Sequence, residues 1–230
     1  MLQAAKGQLV TEKYLRSISD VDSMPRTLAA YYIGQADASV FNSEDADLLI
    51  IDNYAEMNFS MWAPVGGDYL FWMHPKYLRD PEWFYANHVE RGRPTLKKAL
   101  DDAAQFITLL RRKAPGLPVV VLNQQVDYYP KLHERAVEFR SFGSQLAARI
   151  PLVFPGAVLP KEQLELADLN SSGEGNTLHF QAGTYLRMLQ EAEQLGLADA
   201  VESRRKQKFT PPATTEIPRA DFLTATNLHL

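Results

Sequence analysis

A histidine at the entrance of an apolar-periodic segment is the residue of this chain most deliberately placed for chemistry. The stretch GEGNTLHFQAGTYLRMLQEAE, Gly173 to Glu193, delivers His179 from a small-residue loop to what reads as the mouth of a helix. Imidazole titrates near neutral pH, so a histidine fixed there is a candidate general base. It is equally a helix-start residue with no chemistry. Asn176 precedes it, and Asp168 and Glu174 stand in the same polar loop. His74, His88 and His133 read as surface or capping residues. No His-x-x-x-His spacing and no carboxylate cluster appears, so neither a metal nor a cofactor is expected. The chain has no cysteine, which excludes disulfides, thiolate metal sites and a cysteine nucleophile.

The elements that must hold such a site are legible in part. Asp47 to Asp52, DLLIID, is an apolar run of strand length, expected to be buried on both faces of a parallel sheet. Asp52, Asn53 and Tyr54 emerge at its carboxyl end, where open α/β sheets bind ligands. Thr95 to Lys113 has one apolar stripe and predicts a helix, and Pro118 to Leu122 predicts a second strand that releases Asn123. A helix over Glu134 to Arg149, a strand over Pro151 to Phe154 and a short helix over Lys161 to Ala167 follow. The helix after His179 should turn Ala182, Tyr185, Leu186, Leu189 and Ala192 inward, with Gly196 as its C-cap. Alternation of strands and helices predicts an α/β fold, a mostly parallel sheet with helices on both faces.

Residues 54–94 interrupt this order with a long, ring-rich connection that holds every tryptophan of the chain. It reads first as an aromatic mini-core. The alternative is a wall for a ligand with flat apolar faces, such as a sugar ring, with Trp72 and Trp83 as the stacking surfaces. The segment 1–46 is poorly defined, with a helix over Gln3 to Leu15 and a short strand over Leu28 to Ile33. From Ser203 a basic run leads into a proline-rich tail, 203–230, expected to be extended and available to another copy or a partner chain. The main α/β domain is thus expected over 47–202.

A strand of the DLVII type that ends in Asn, followed by further strands and a last helix entered through Asn176-Thr-Leu-His179, resembles the later part of an SGNH (GDSL-type) hydrolase domain. The resemblance spans roughly Asp47 to Leu195. It implies a flavodoxin-like three-layer fold, Asn53 as oxyanion donor and His179 as general base in a Ser-His mechanism. The family's D-x-x-H aspartate is Asn176 here, so Asp168 or Glu174 would supply the orienting carboxylate. The G-D-S nucleophile block has no clear counterpart; Gly34-Gln-Ala-Asp37-Ala-Ser39 is faintly similar, leaving Ser39 and Ser60 as candidates. The chain is read as a divergent member lacking a recognisable nucleophile block. Similar degenerate patterns imply an esterase or O-acyltransferase acting on bacterial surface polysaccharide or glycan intermediates.

Composition bounds the alternatives. With 230 residues, 46% hydrophobic and 23% charged, the chain has the make-up of a globular domain. A net charge of −4 argues against a nucleic-acid partner. No apolar run approaches a membrane span or a signal peptide, and a cytoplasmic location is expected. Three functions remain open: an acyl esterase or acyltransferase on a carbohydrate or acylated small molecule; a catalytically silent domain of the same fold for glycan binding or assembly; and a fragment whose nucleophile comes from elsewhere.

Overall fold

The run DLLIID forms β1 (Leu49–Asp52), which pairs in parallel with β5 (Val119–Leu122), and β5 pairs in parallel with β6 (Val153–Pro155). The computed structural model describes residues 10–24, 26–36, 44–53, 56–57, 59–67, 69–123, 125, 133–165 and 181–209. The sheet order is β1-β5-β6, so β5 is the central strand and its valines Val119, Val120 and Val121 are buried.

Between β1 and β5 the chain forms α4 (Leu96–Lys113), begun by Thr95, whose hydroxyl accepts from Lys98 N at 3.2 Å. Its basic last turn includes Arg111, which donates to the carbonyls of Leu117, Pro151 and Leu152 and ties the helix end to the entry of β6. Two short helices, α5 (His133–Phe139) and α6 (Phe142–Arg149), separate β5 from β6. The alternation of the strands sorts the core into two faces. Val119, Val121 and Val153 pack with Leu100, Ile107 and Leu110 of α4 and with Phe139, Phe142 and Leu146. Val120 and Phe154 face Ala192 of α7 (Ala182–Gln194) and Leu197 of α8 (Leu197–Phe209). The protein is therefore mixed α/β, with a parallel three-stranded sheet covered by helices on both faces.

Most of 59–92 builds a second sheet, antiparallel, in the order β3-β2-β4: β2 (Met61–Pro64), β3 (Phe71–Trp72) and β4 (His88–Gly92), with α3 (Pro81–Asn87) leading into β4. Its rings form a core with the N-terminal helices α1 (Glu12–Ile18) and α2 (Arg26–Gly34): Leu15, Ile18, Val21 and Tyr32 pack on Trp62, Phe71, Trp72 and Phe84. The mini-core reading of the ring-rich stretch is the one the packing supports, and residues 10–36 complete it.

Several local expectations need correction. Leu28 to Ile33 is part of helix α2, not a strand; its residues pack sideways on the aromatic core, and tertiary contact overrides the apolar run. The helix expected over 134–149 breaks at Arg140–Ser141. There Asn123 Oδ1 accepts from Gly143 N at 3.0 Å, so α6 starts afresh against the end of β5. Ser203 to Phe209 continues α8 rather than opening the tail, since Arg204 donates to the carbonyls of Glu44 and Pro115 and Arg205 pairs with Asp47 at 3.0 Å. Gly196, at φ +91°, ends α7 as expected. β1 is an edge strand with Ile50 50% exposed, not a strand buried on both faces. Ala182 and Leu186, expected inward, are exposed, Leu186 at 65%, and α7 buries Thr184 and Met188 together with the expected Ala192. No helix among the described residues is long and apolar enough to cross a membrane.

Candidate active site

Parallel strands deliver their carboxyl ends to one edge of the sheet, and this sheet gathers Asp52, Asn53, Asn123 and Gln125 there. Asp52 stands in register with Leu122, which places Asn53 beside Asn123 along that edge. Asn53 is fully buried, and its carbonyl accepts from Met57 N at 3.2 Å, closing the turn that leaves β1.

Asn123 serves the fold. Its Nδ2 donates to Gly156 O at 3.2 Å while its Oδ1 holds Gly143 N, so the amide bolts the exit of β5 to the exit of β6 and to α6. A Cβ on Gly143 would meet that amide at 3.0 Å and Pro155 Cβ at 3.3 Å, which explains a glycine at this close approach. Gln125 repeats the bracing: Nε2 donates to Asn123 O at 2.8 Å and Ala157 O at 3.3 Å, and Oε1 accepts from Leu159 N at 2.6 Å. Asn123, expected to touch a substrate, has both ends of its amide engaged internally.

Glu56, which sequence reading did not single out, is the group at this edge with the most unusual environment. Its Oε2 is shut off from solvent and has no hydrogen-bond partner among the described residues. Burial pushes its carboxyl up from 4.5 to about 7, and the charges of Asp52 and Asp102 push in the same direction. The nearby cation does not relieve it. Arg135 on α5 spends its guanidinium on the carbonyls of Glu56 and Pro94 and on the Glu138 carboxylate, and lies 4.5 Å over the Phe139 ring. Glu138 in turn accepts from Leu96 N at 3.2 Å, at the start of α4. The sequence carries a faint signal for Glu56: an acid just past the polar exit of the first apolar strand.

Ser39, Tyr54, Asp168, Asn176 and His179, with Glu174, lie outside the described residues. The residues that flank the segment bearing Asp168, Asn176 and His179 are described: Gln181 N donates to Glu165 O at 2.8 Å, and Glu165 N donates to Thr184 Oγ1 at 3.1 Å. Arg187 fastens this junction through Gln163 O and the Glu165 carboxylate, each at 2.8 Å. Both ends of that segment are thus joined at the first turn of α7.

Comparison of the chain with known protein families, with curated proteins and with solved structures finds no match. Function therefore rests on the residues themselves.

The tryptophans divide sharply. Trp72 is 6% exposed, stacked on Phe59 at 4.4 Å and met edge-on by Tyr32 inside the aromatic core. Trp83, on α3, is 47% exposed, with Tyr85 on the same helix also exposed. His88, expected to be a surface or capping residue, is the buried C-cap of α3: it stacks on Phe84 at 4.2 Å and its Nδ1 lies 2.8 Å from Phe84 O. Nδ1–H donates to that carbonyl, so Nε2 is left to accept from the Tyr14 hydroxyl. Burial lowers the His88 pKa and raises that of Tyr14, which keeps both neutral and makes them a structural tie between α1 and β4. His74 caps a short 3-10 turn by accepting from Lys76 N, as expected. Among the described residues no group of histidines and carboxylates is arranged to hold a metal ion. A cavity between α1 and α2, lined by Val21, Ala29 and Ile33 with Glu12 and Arg16, contains none of the residues named above as site candidates.

Proposed function

We propose that this chain is a divergent SGNH-like acyl esterase or O-acyltransferase whose site lies at the carboxyl edge of the β1-β5-β6 sheet. The observation that carries the reading is Asn53: a fully buried side chain at the carboxyl end of the first parallel strand, beside a carboxyl that titrates near neutrality. In this reading its amide donates to the oxygen of a tetrahedral acyl intermediate. In this reading His179 accepts the nucleophile's proton, Asp168 or Asn176 orients it, and Ser39 is the candidate nucleophile, within a flavodoxin-like three-layer domain. The acyl group is carried on a sugar hydroxyl, as the resemblance to proteins of bacterial surface-polysaccharide synthesis implies.

Hydrolysis of p-nitrophenyl acetate tests this. Asn53→Ala is expected to lower kcat by about 100-fold, the low end for loss of one oxyanion donor. A rate unchanged by Asn53→Ala and by His179→Ala would refute the reading. A second reading, a silent glycan-binding domain, is favoured by the exposed rings Trp83 and Tyr85. Calorimetry against oligosaccharides decides it: binding abolished by Trp83→Ala supports it, and unchanged affinity removes those rings from consideration.

A further inference from the structure

We propose that Glu56 is the general acid of this site, the residue that hands a proton to the leaving oxygen when an acyl–oxygen bond breaks. The inference rests on the acyl-transfer reading above and adds a catalytic residue to it. Its basis is geometric. Glu56 sits in the turn that leaves β1, between Asn53 and the start of α4, and its Oε2 is buried without a partner among the described residues. A buried polar atom left unpaired costs folding free energy, so a carboxyl oxygen with no partner among the described residues, just past a strand's carboxyl end, points to a role beyond the core.

The acidic groups nearest it favour a protonated carboxyl. Asp52 on β1 and Asp102 on α4 bring negative charge, which disfavours a second carboxylate; Asp102 is itself paired with Lys98. Arg135 on α5 contributes its hydrogen bonds to the carbonyls of Glu56 and Pro94 and to Glu138, rather than to the Glu56 carboxyl. Glu138 adds negative charge on the same helix. The result is a carboxylic acid still substantially protonated at neutral pH, whose Oε2 has no partner among the described residues. A carboxyl kept neutral by its surroundings is how a fold makes an acid available at pH 7.

A hydroxyl oxygen attacks the acyl carbon and forms a new C–O bond, and its proton leaves through the site's base to water. Collapse of the tetrahedral intermediate breaks the bond to the leaving oxygen. That oxygen takes the Glu56 proton and departs as a neutral alcohol, and the Glu56 carboxylate is reprotonated from water. An acid matters only where the leaving oxygen is basic: an alkoxide needs the proton, whereas p-nitrophenolate departs without it.

Leaving-group dependence therefore tests the assignment. Hydrolysis of ethyl acetate, followed in a pH-stat, is compared with hydrolysis of p-nitrophenyl acetate for the wild type and Glu56→Gln. The expected result is a wild-type kcat/KM for ethyl acetate that declines above about pH 7. Glu56→Gln should lower it about 100-fold, with p-nitrophenyl acetate changed by less than about twofold. A purely structural Glu56 would depress both substrates together, and that outcome, or no effect on either, overturns the assignment while leaving the acyl reading intact. Failure of the wild type to hydrolyse either ester overturns both.

Discussion

Replacing Glu56 by Gln should change the stability of the protein in a strongly pH-dependent way, independent of any catalysis. In the folded chain burial holds the carboxyl at about 7, against 4.5 for the free group. Below pH 4.5 the carboxyl is protonated in both states and costs nothing. Between 4.5 and about 7 the unfolded chain is ionised while the folded chain is not, so the unfolded state binds fewer protons and stability falls as pH rises. Above about 7 the folded protein must carry a buried carboxylate and the cost is complete. A window of about 2.5 pH units at about 1.36 kcal/mol per unit gives ~3 kcal/mol, a large fraction of the 5–15 kcal/mol of a typical domain. Glutamine has nearly the same shape and no charge. Its own burial cost is the same at every pH, so the difference between variant and wild type isolates the ionisation. Urea unfolding at pH 4 and pH 8 reads it out: the variant should gain about 3 kcal/mol relative to wild type between the two, with m unchanged. A wild-type-minus-variant difference that stays flat across this range would show that the Glu56 carboxyl is solvated in the folded state. It would also remove the basis for assigning it the role of an acid.

The bracing at the sheet's carboxyl edge makes a second expectation. Asn123→Ala strands Gly143 N–H and Gly156 C=O and should cost about 3 kcal/mol, while Gly143→Ala, pressing on the same amide, should cost about 1–3 kcal/mol by urea unfolding. Costs below 0.5 kcal/mol would mean that Asn123 is free to serve a ligand. The tryptophans separate in the same assay: Trp72→Ala should cost about 3–5 kcal/mol as a large core deletion, whereas Trp83→Ala on the exposed side of α3 should stay within about 1 kcal/mol.

The parallel-sheet part of the fold was legible because its signals are local. The stripe of α4, the run PVVVL and the glycine at 196 each follow from spacing or backbone freedom within a few residues. What escaped the sequence depends on contacts between distant segments. Nothing near Ser141 announces that Asn123 will cap α6 and break the helix. The apolar residues of α2 read as a strand because their partners, Trp72 and Phe71, lie far along the chain. The site divides likewise. Asn53 was legible as a polar residue closing an apolar strand, and it lies buried at the sheet's carboxyl end. Glu56 was not, because its distinction is an environment: Asp102 from α4 and the carbonyl-bound Arg135 from α5 converge on it only in the fold.

Two of the failed burial expectations, Ile50 and Leu186, have a common physical origin. On β1 the face that turns Leu48 toward Leu122 and Leu189 also carries Ile50, and Leu186 stands one helical turn before Leu189 on α7. Both exposed side chains thus belong to the margin of one layer, where α7 and α8 cover β5 and β6 but reach only the first part of β1. An apolar run records the surroundings a strand is suited to, not how far a neighbouring helix extends over it. Burial in this layer is set by the α7–α8 hairpin, whose position is fixed by Arg204, Arg205 and Lys208 gripping residues 44–47 at the amino end of β1. Those contacts lie at the start of the strand, and further along the same face Ile50 is left 50% exposed.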